Sequence, residues 1–489
     1  MSKPKTKTKT SNKKKEESSP PEIYFDNNSH TFICQKAQEA FIKWSKYYNP
    51  SGDSKYAKES RDVIQRSIKF MHEQVGTNSE THKIIFTSGA SESNSTILRS
   101  VAYAMKNLPT KLMKPFIIAS AVEHHNIIQT LEDLKNEGVC DIRYVKPNIF
   151  GCVNPSDVEH EIENIKNNGG LVILITIMFA NNETGSINNI PKIGELADKH
   201  QIPLHTDAVQ VFGKFRLDLP KNHIAAMSAS FHKLYGPGGI GLLVIEQSLI
   251  DGYKLTSLIS GTQQDGLRGG TENVPAIAAS MEATKWTFQN RASKNDKLYN
   301  MKMRIVDKLG KHYPFGNLLE YILDQTEDDS KLDNKKLDLD EIKLKGDKVG
   351  GRTETETTTD EDTRKILELV VIGPPLERKN SCLPNTLLLA IAKNKGEPFC
   401  NIAFKHALAK RGVTVSISSA CLTSSPKSSH VLTAMDLPPV IKKGVIRISL
   451  GDYNTNEECD KFVTIFLEVL DNMLKHMDKN KHGPSIGSD

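Results

Sequence analysis

The sequence predicts an α/β fold with a mostly parallel sheet covered on both faces. Two observations predict it. Short β-branched runs recur at Lys83–Thr87, Pro115–Ser120, Leu171–Phe179, Pro203–Thr206, Ala225–Ser230 and Ile240–Ile245. Helix-length segments, such as Asn126–Asn136 and Ile190–His200, separate several of them. Strands alternating with helices build a sheet with helices on its two faces. In such sheets ligands sit beyond the carboxyl ends of the strands, so the residues just after each run carry the functional information.

Composition bounds the rest. The chain has 489 residues, 38% hydrophobic and 25% charged. That suits two to three domains with a sizeable core and rules out wholesale disorder. The longest strongly apolar run, Leu171 to Ala180, is too short to cross a bilayer. The net charge of +5 comes from one end: residues 1–15 hold seven Lys and no acid, leaving 57 basic against 59 acidic residues elsewhere. A folded part near neutrality argues against a broad nucleic-acid surface. Seven cysteines stand at 34, 140, 152, 382, 400, 421 and 459, none in a C-x-x-C pair, which argues against a zinc finger or a disulfide framework. An odd count without a signal peptide reads as a reducing, intracellular compartment.

Along the chain, residues 1–21 are Lys, Thr, Ser and Pro with almost nothing apolar, and are expected to be disordered. Lys13–Lys15 leaves open a nuclear address beside the plainer reading of a solubilising tail. Residues 325–364 form an acidic and polar insertion, expected to be mobile. Pattern resumes at Ile366 and runs to a terminal helix around Asp460–His476, with a frayed tail over 479–489.

Three strand ends could carry chemistry. Thr87-Ser88-Gly89-Ala90-Ser91 leads from a strand into a helix, and small residues there leave N–H groups free for a phosphate. Most such turns merely cap a helix. Asp207 ends another strand, where a buried acid is costly unless paired. It is either a structural ion pair or cap, or a carboxylate for a cationic ring. Lys233 follows a third strand and precedes the turn Gly236–Gly239. Taken alone, Lys233 reads more simply as a surface lysine; desolvated there, it would have its pKa lowered and its amine freed for Schiff-base chemistry. Together the three are the parts that a pyridoxal phosphate site needs.

At this point the sequence resembles the class V, fold-type-I pyridoxal-phosphate enzymes, and among them the NifS/IscS-like cysteine desulfurases. The matching segments fall in family order across residues 22–475, outside the insertion: Tyr24–Asn27, Asn49–Ser51, Phe86–Asn94, Glu123–His125, Asn181–Gly185, Asp207–Gln210, Ser230–Pro237, Arg268–Val274, Leu383–Thr386, Ser419–Cys421 and Ile446–Gly451. The resemblance implies a large cofactor-binding domain over 22–285, whose first residues pack on a smaller α+β domain over 286–478. It implies that Lys233 holds the cofactor as a Schiff base, Asp207 pairs with the pyridine nitrogen, and Gln210 bonds the ring hydroxyl. His124 would stack on the ring and assist proton transfer. Ala90, Ser91, Ser230 and His232 would hold the phosphate, with Thr271 from the second subunit of a homodimer. Asn182 would lie near the ring hydroxyl and the substrate carboxylate, and Arg447 would clamp that carboxylate with its two-pronged guanidinium.

Cys421 decides the reaction. It sits in a small, polar stretch, Ser416–Ser424, without apolar periodicity, so the usual role of a lone cysteine as a buried hydrophobe fits poorly. A thiol on a mobile loop can reach a bound substrate as thiolate. The implied activity converts L-cysteine to L-alanine and leaves a persulfide on Cys421. The sulfur would pass to an acceptor or scaffold protein for iron–sulfur clusters or thiolated nucleotides, in the cytoplasm. A selenocysteine lyase or another class V enzyme is the alternative, and a non-catalytic scaffold a third reading. Asp265, Ser418, Leu422 and His30 depart from the family pattern.

Overall fold

The computed structural model describes residues 22–46, 49–106, 113–323, 367–393, 398–417 and 429–481. Residues 1–21, the insertion 325–364, Cys421 and residues 482–489 lie outside that set.

The α/β architecture is the expected one. Seven strands form the main sheet: β2 (His82–Thr87), β3 (Lys114–Ser120), β4 (Asp141–Val145), β5 (Gly170–Thr176), β6 (Leu204–Asp207), β7 (Ala226–Ser230) and β8 (Gly241–Glu246). They lie side by side in the order β2-β8-β7-β6-β5-β3-β4. From β4 to β7 every pairing is parallel, whereas β8 runs antiparallel to both its neighbours. The reversal follows from chain length. Between Ser230 and Gly241 there is room only for a short 3₁₀ turn, Phe231–Lys233, and a bend, and a parallel return needs a longer crossover, usually a helix.

Two sheet faces are covered by two apolar clusters. Ile84, Phe86, Ile118, Ile175 and Val244 face one, and Ile85, Ile117, Leu174, Leu243 and Ile245 the other. That split is the period-two alternation of strands buried on both sides. The run read as Leu171–Phe179 stops being strand at Thr176, although Ile177 and Met178 stay buried. Ile177 N–H still donates to His205 O (3.2 Å) and Phe179 N–H to Asp207 O (2.9 Å), so the segment follows the edge of β6 into a loop. The long helix Lys55–Val75 falls outside the segments that the sequence marks as helical. Ser54 caps it, its Oγ accepting from Ala57 N–H, and Gly76 ends it at φ 72°.

The later part of the chain has its own sheet, in the order β13 (Val445–Ser449), β11 (Thr386–Lys393), β10 (Leu367–Ile372), β9 (Phe315–Gly316). Helices Arg291–Gly310 and Asn456–Lys481 pack on it through Leu298, Ile305, Phe462 and Phe466. Ile23 and Phe25 belong to the same cluster. They arrive there because β1 (Ile23–Tyr24) pairs in parallel with β12 (Val413–Thr414), and Asp26 bridges Ser449. The chain start thus lies across the seam between the two sheets. No helix among the described residues is long and apolar enough to cross a membrane.

Candidate active site

The carboxyl ends of β2, β6 and β7 converge. After β2, Thr87–Gly89 turns into helix Ala90–Lys106. Ser88 N–H donates to Glu92 Oε2 (2.7 Å), and Glu92 is held in turn by Arg268 (3.0 Å). Ala90 and Ser91 occupy the first turn of that helix, Ser91 exposed. The unpaired N–H groups of a helix start favour an anion. Gly241 on β8 makes room for the turn: a Cβ there would fall 2.4 Å from the Gly89 carbonyl carbon.

Asp207 is the last residue of β6 and is buried. No cation pairs with it among the described residues. Its Oδ2 accepts from Asn94 Nδ2 (2.9 Å) and its Oδ1 from Val209 N–H (3.0 Å). Asn94 Nδ2 also reaches Asn126 Oδ1 (3.2 Å), and His124 Nδ1 lies 2.8 Å from the same oxygen. His124 and Asp207 are therefore joined through two amides. Beside them Glu123 is fully buried, and desolvation holds its carboxyl well above the usual carboxylate range, with Asp207 adding repulsion. Met178 N–H donates to Glu123 Oε1 (2.6 Å).

Lys233 ends the 3₁₀ turn after β7. Its Nζ donates to Asn28 O and Ser29 O, each at 2.5 Å. Gln210 Nε2 donates to the same Asn28 oxygen (3.2 Å), while Gln210 Oε1 is buried with no partner. Ser230 Oγ lies 2.8 Å from His232 Nδ1. Burial, with Lys233 and His30 beside it, pushes the His232 imidazole down to about 3, so it is neutral at ordinary pH. His30, one of the departures from the family pattern, stacks on His232 with ring centroids 5.4 Å apart.

Arg447 projects from the middle of β13 and is 1% exposed. Nη2 donates to Asp26 Oδ1 and Ser29 Oγ, both at 2.7 Å, and Nη1 to Asn182 O (3.0 Å). Nε is buried without a partner. Asn28 Nδ2 donates to the same Asn182 oxygen (3.1 Å). Asn28 thus accepts from Lys233 and Gln210 and donates to the Asn182 carbonyl that Arg447 also reaches. The sequence assigned no role to it, to Asn94 or to Asn126, because an amide's role depends on the partners that the fold brings to it.

Cys421 lies outside the described residues, but both flanks of its stretch end at this site. On one side Ser416 pairs with Arg447. On the other, Ser429 Oγ donates to Glu183 Oε2 (2.6 Å) and His430 Nε2 lies 2.8 Å from Glu123 O. Glu183 and Glu123 are the chain neighbours of Asn182 and His124. Thr271 does not join the group: it is exposed, and no hydrogen bond within the described chain ties it to Lys233. Asp265, another departure, pairs with Lys83 (2.8 Å). Next to it the Gln264 carboxamide accepts from Phe86 N–H (2.7 Å) and donates to Phe86 O (2.9 Å), closing part of the free edge of β2.

The sequence model of the aminotransferase class-V family matches residues 23–317. The chain belongs to that family. Cysteine desulfurase IscS of Methanosarcina thermophila is 29% identical over 92% of this chain and 92% of its own. A NifS/IcsS protein homolog of Lactobacillus delbrueckii subsp. bulgaricus is 30% identical over 94% of this chain and 99% of its own, which puts the chain on the NifS/IscS-like branch of the family. Among solved structures, a NifS-like protein superposes with a TM-score of 0.70 at 26% identity, covering 92% of this chain and 99% of its own. A complex of SspA with cysteine gives 0.62 at 25%, covering 88% and 100%.

Proposed function

We propose that this chain is a pyridoxal-phosphate-dependent cysteine desulfurase that works as a homodimer, with Cys421 as the group that takes sulfur from L-cysteine. The observation that carries the reading is the meeting of Lys233, Gln210 and Arg447, from three separate elements, around Asn28. Relatives that bear the name cysteine desulfurase, and a solved neighbour holding cysteine, point to the same substrate.

The residues present fit the cofactor. The buried, partnerless Gln210 Oε1 suits a hydroxyl donor, and the buried, cation-free Asp207 suits a protonated ring nitrogen. Ala90, Ser91, Ser230 and His232 would hold the phosphate, with Thr271 supplied across a dimer. When bound, the cofactor supplies an electron sink for negative charge at the substrate Cα.

The chain's own groups do the rest. Asn94 and Val209 N–H hold the Asp207 carboxyl oxygens in place as acceptors. Asn126 orients His124 for proton transfer. Lys233 Nζ, held by two carbonyls, is an amine that can move a proton at Cα. Arg447, with Nε to spare, and Asn182 would bind the substrate carboxylate. The Cys421 thiolate would attack the substrate sulfur, so an S–S bond forms as the C–S bond breaks, its electron pair staying with Cβ, which takes a proton. The products are Cys421 persulfide and L-alanine.

The same reading divides the chain into a cofactor-holding part, 22–285, and a smaller part, 286–478. It places the enzyme in the cytoplasm and hands its sulfur to an acceptor or scaffold protein for iron–sulfur clusters or thiolated nucleotides. The test is incubation of purified protein with L-cysteine, measuring alanine and protein-bound sulfane sulfur, beside an L-selenocysteine control. Both products at equal yield support the assignment. Alanine with no bound sulfur, or turnover confined to selenocysteine, overturns it.

A further inference from the structure

Lys302 sits on helix Arg291–Gly310 with 0% of its surface exposed. No carboxylate among the described residues pairs with it. Its Nζ donates to Leu383 O (2.9 Å) and to Cys382 Sγ (3.5 Å). Cys382 is itself only 3% exposed. A buried ammonium without a counter-charge is among the costlier things a core can contain, and an apolar side chain of similar length would fill the space without that cost. The amine is therefore there for something other than packing.

We propose that Lys302 and Cys382 form a redox modification site, in which peroxide converts the pair to a reversible sulfur–nitrogen cross-link. The geometry supplies each requirement. The thiol lies next to a turn-rich surface segment, where Lys379 and Asn380 are exposed, so a molecule as small as hydrogen peroxide needs only local opening to reach it. Burial lowers the lysine pKa, which raises the fraction of amine that carries a free lone pair. Within the same enclosure the nitrogen nucleophile beside an oxidised Cys382 is Lys302.

The chemistry balances in two steps. Hydrogen peroxide transfers one oxygen to the Cys382 sulfur as its O–O bond breaks. That gives a sulfenic acid and one water, with sulfur oxidised by two electrons and peroxide reduced by two. The Lys302 nitrogen then attacks sulfur: an S–N bond forms, the S–O bond breaks, and the hydroxyl leaves as a second water with a proton from nitrogen. An added thiol reverses the link by attacking sulfur and releasing the amine. A second thiol then reduces the mixed disulfide.

The position gives the link reach. Leu383 N–H donates to Gly185 O (2.7 Å), Asn385 Nδ2 to Asn28 Oδ1 (3.0 Å), and Thr386 Oγ1 accepts from Asn28 Nδ2 (2.8 Å). A bond at Cys382 thus ties a scaffold helix to the strand that holds Asn28.

The test treats the full-length holoenzyme with graded hydrogen peroxide, followed by digestion and mass spectrometry. The expected product is a Lys302–Cys382 cross-linked peptide pair, lighter by two hydrogens than the sum of its parts and abolished by dithiothreitol. It should be absent from Cys382→Ser and from Lys302→Met. Should either variant fold poorly, the Cys421→Ser protein, with the pair intact, gives the same readout without the reactive loop thiol. Cys382 recovered unmodified, or as sulfinic acid with Lys302 free, at peroxide doses that oxidise exposed Cys400 would overturn the proposal.

Discussion

Ser416 and Arg447 exchange both hydrogen bonds of an antiparallel bridge: Ser416 N–H donates to Arg447 O (3.1 Å) and Arg447 N–H to Ser416 O (2.7 Å). One residue leads into the Cys421 stretch and the other is the proposed carboxylate clamp. Backbone position at one is therefore backbone position at the other. In the proposed reaction, gripping the substrate and presenting the thiol are mechanically linked.

Arg447→Lys keeps a positive charge beside Asp26 but removes the planar fork. The KM for L-cysteine should rise about tenfold or more, with visible cofactor absorbance retained. Steady-state kinetics checks this, and an unchanged KM would move the carboxylate site elsewhere.

Lys233→Ala should lose the visible absorption of the bound cofactor and all turnover. Cys421→Ser should keep the absorption and yield no persulfide. Absorption spectra and sulfane-sulfur measurement separate the two. Normal sulfide release by the serine variant would remove Cys421 from its role.

Gly241→Ala places a methyl group 2.4 Å from the Gly89 carbonyl carbon, in backbone that cannot swing aside. Overpacking of this kind costs about 1–3 kcal/mol. Here it should also displace the Thr87–Gly89 turn. Denaturant unfolding should show the loss, and dialysis should show faster release of cofactor. An equally stable variant with normal retention would mean that the turn yields freely.

His205 is fully buried between Thr176 Oγ1 (2.9 Å) and Ser228 Oγ (3.0 Å), and desolvation pushes it from an ordinary value of 6.5 down to about 3. Above 6.5 the imidazole is neutral folded and unfolded, and its full contribution is present. As pH falls from there towards 3, the unfolded chain takes up a proton that the folded chain refuses, so stability declines. The loss by pH 5 is about 2 kcal/mol. Urea midpoints at pH 8 and pH 5 measure it, and His205→Gln should show a smaller difference between the two. An identical pH slope in the variant would place the acid sensitivity in other groups.

The strands were legible because their β-branched runs are short and bounded, and Lys233, Asp207 and the Thr87–Ser91 turn could be found at their ends. Besides the helix Lys55–Val75 and the strands of the second sheet, three things were not legible. Strand β4 is at the sheet edge, where Arg143 is exposed, and it lacks a continuous apolar run. The reversed direction of β8 depends on crossover length rather than on the residues of the strand. The amide framework of Asn28, Asn94 and Asn126 is set by contacts that join distant parts of the chain, such as Asn28 with Thr386 and Asn94 with Asp207. Polar residues of this kind look like loop residues until the fold surrounds them.

The pairing of Ile23–Tyr24 with Val413–Thr414, and of Asp26 with Ser449, sets an order of events during synthesis. Residues 23–26 must wait for a segment about four hundred positions later to leave the ribosome before either finds its place. The contacts of Asp26 with Arg447 and Ser449 can only be completed once that late strand has been made, so a chain cut short before it is born without them. Such late, distant closure is slow, and it makes completion of the proposed site an event for nearly finished polypeptides rather than growing ones.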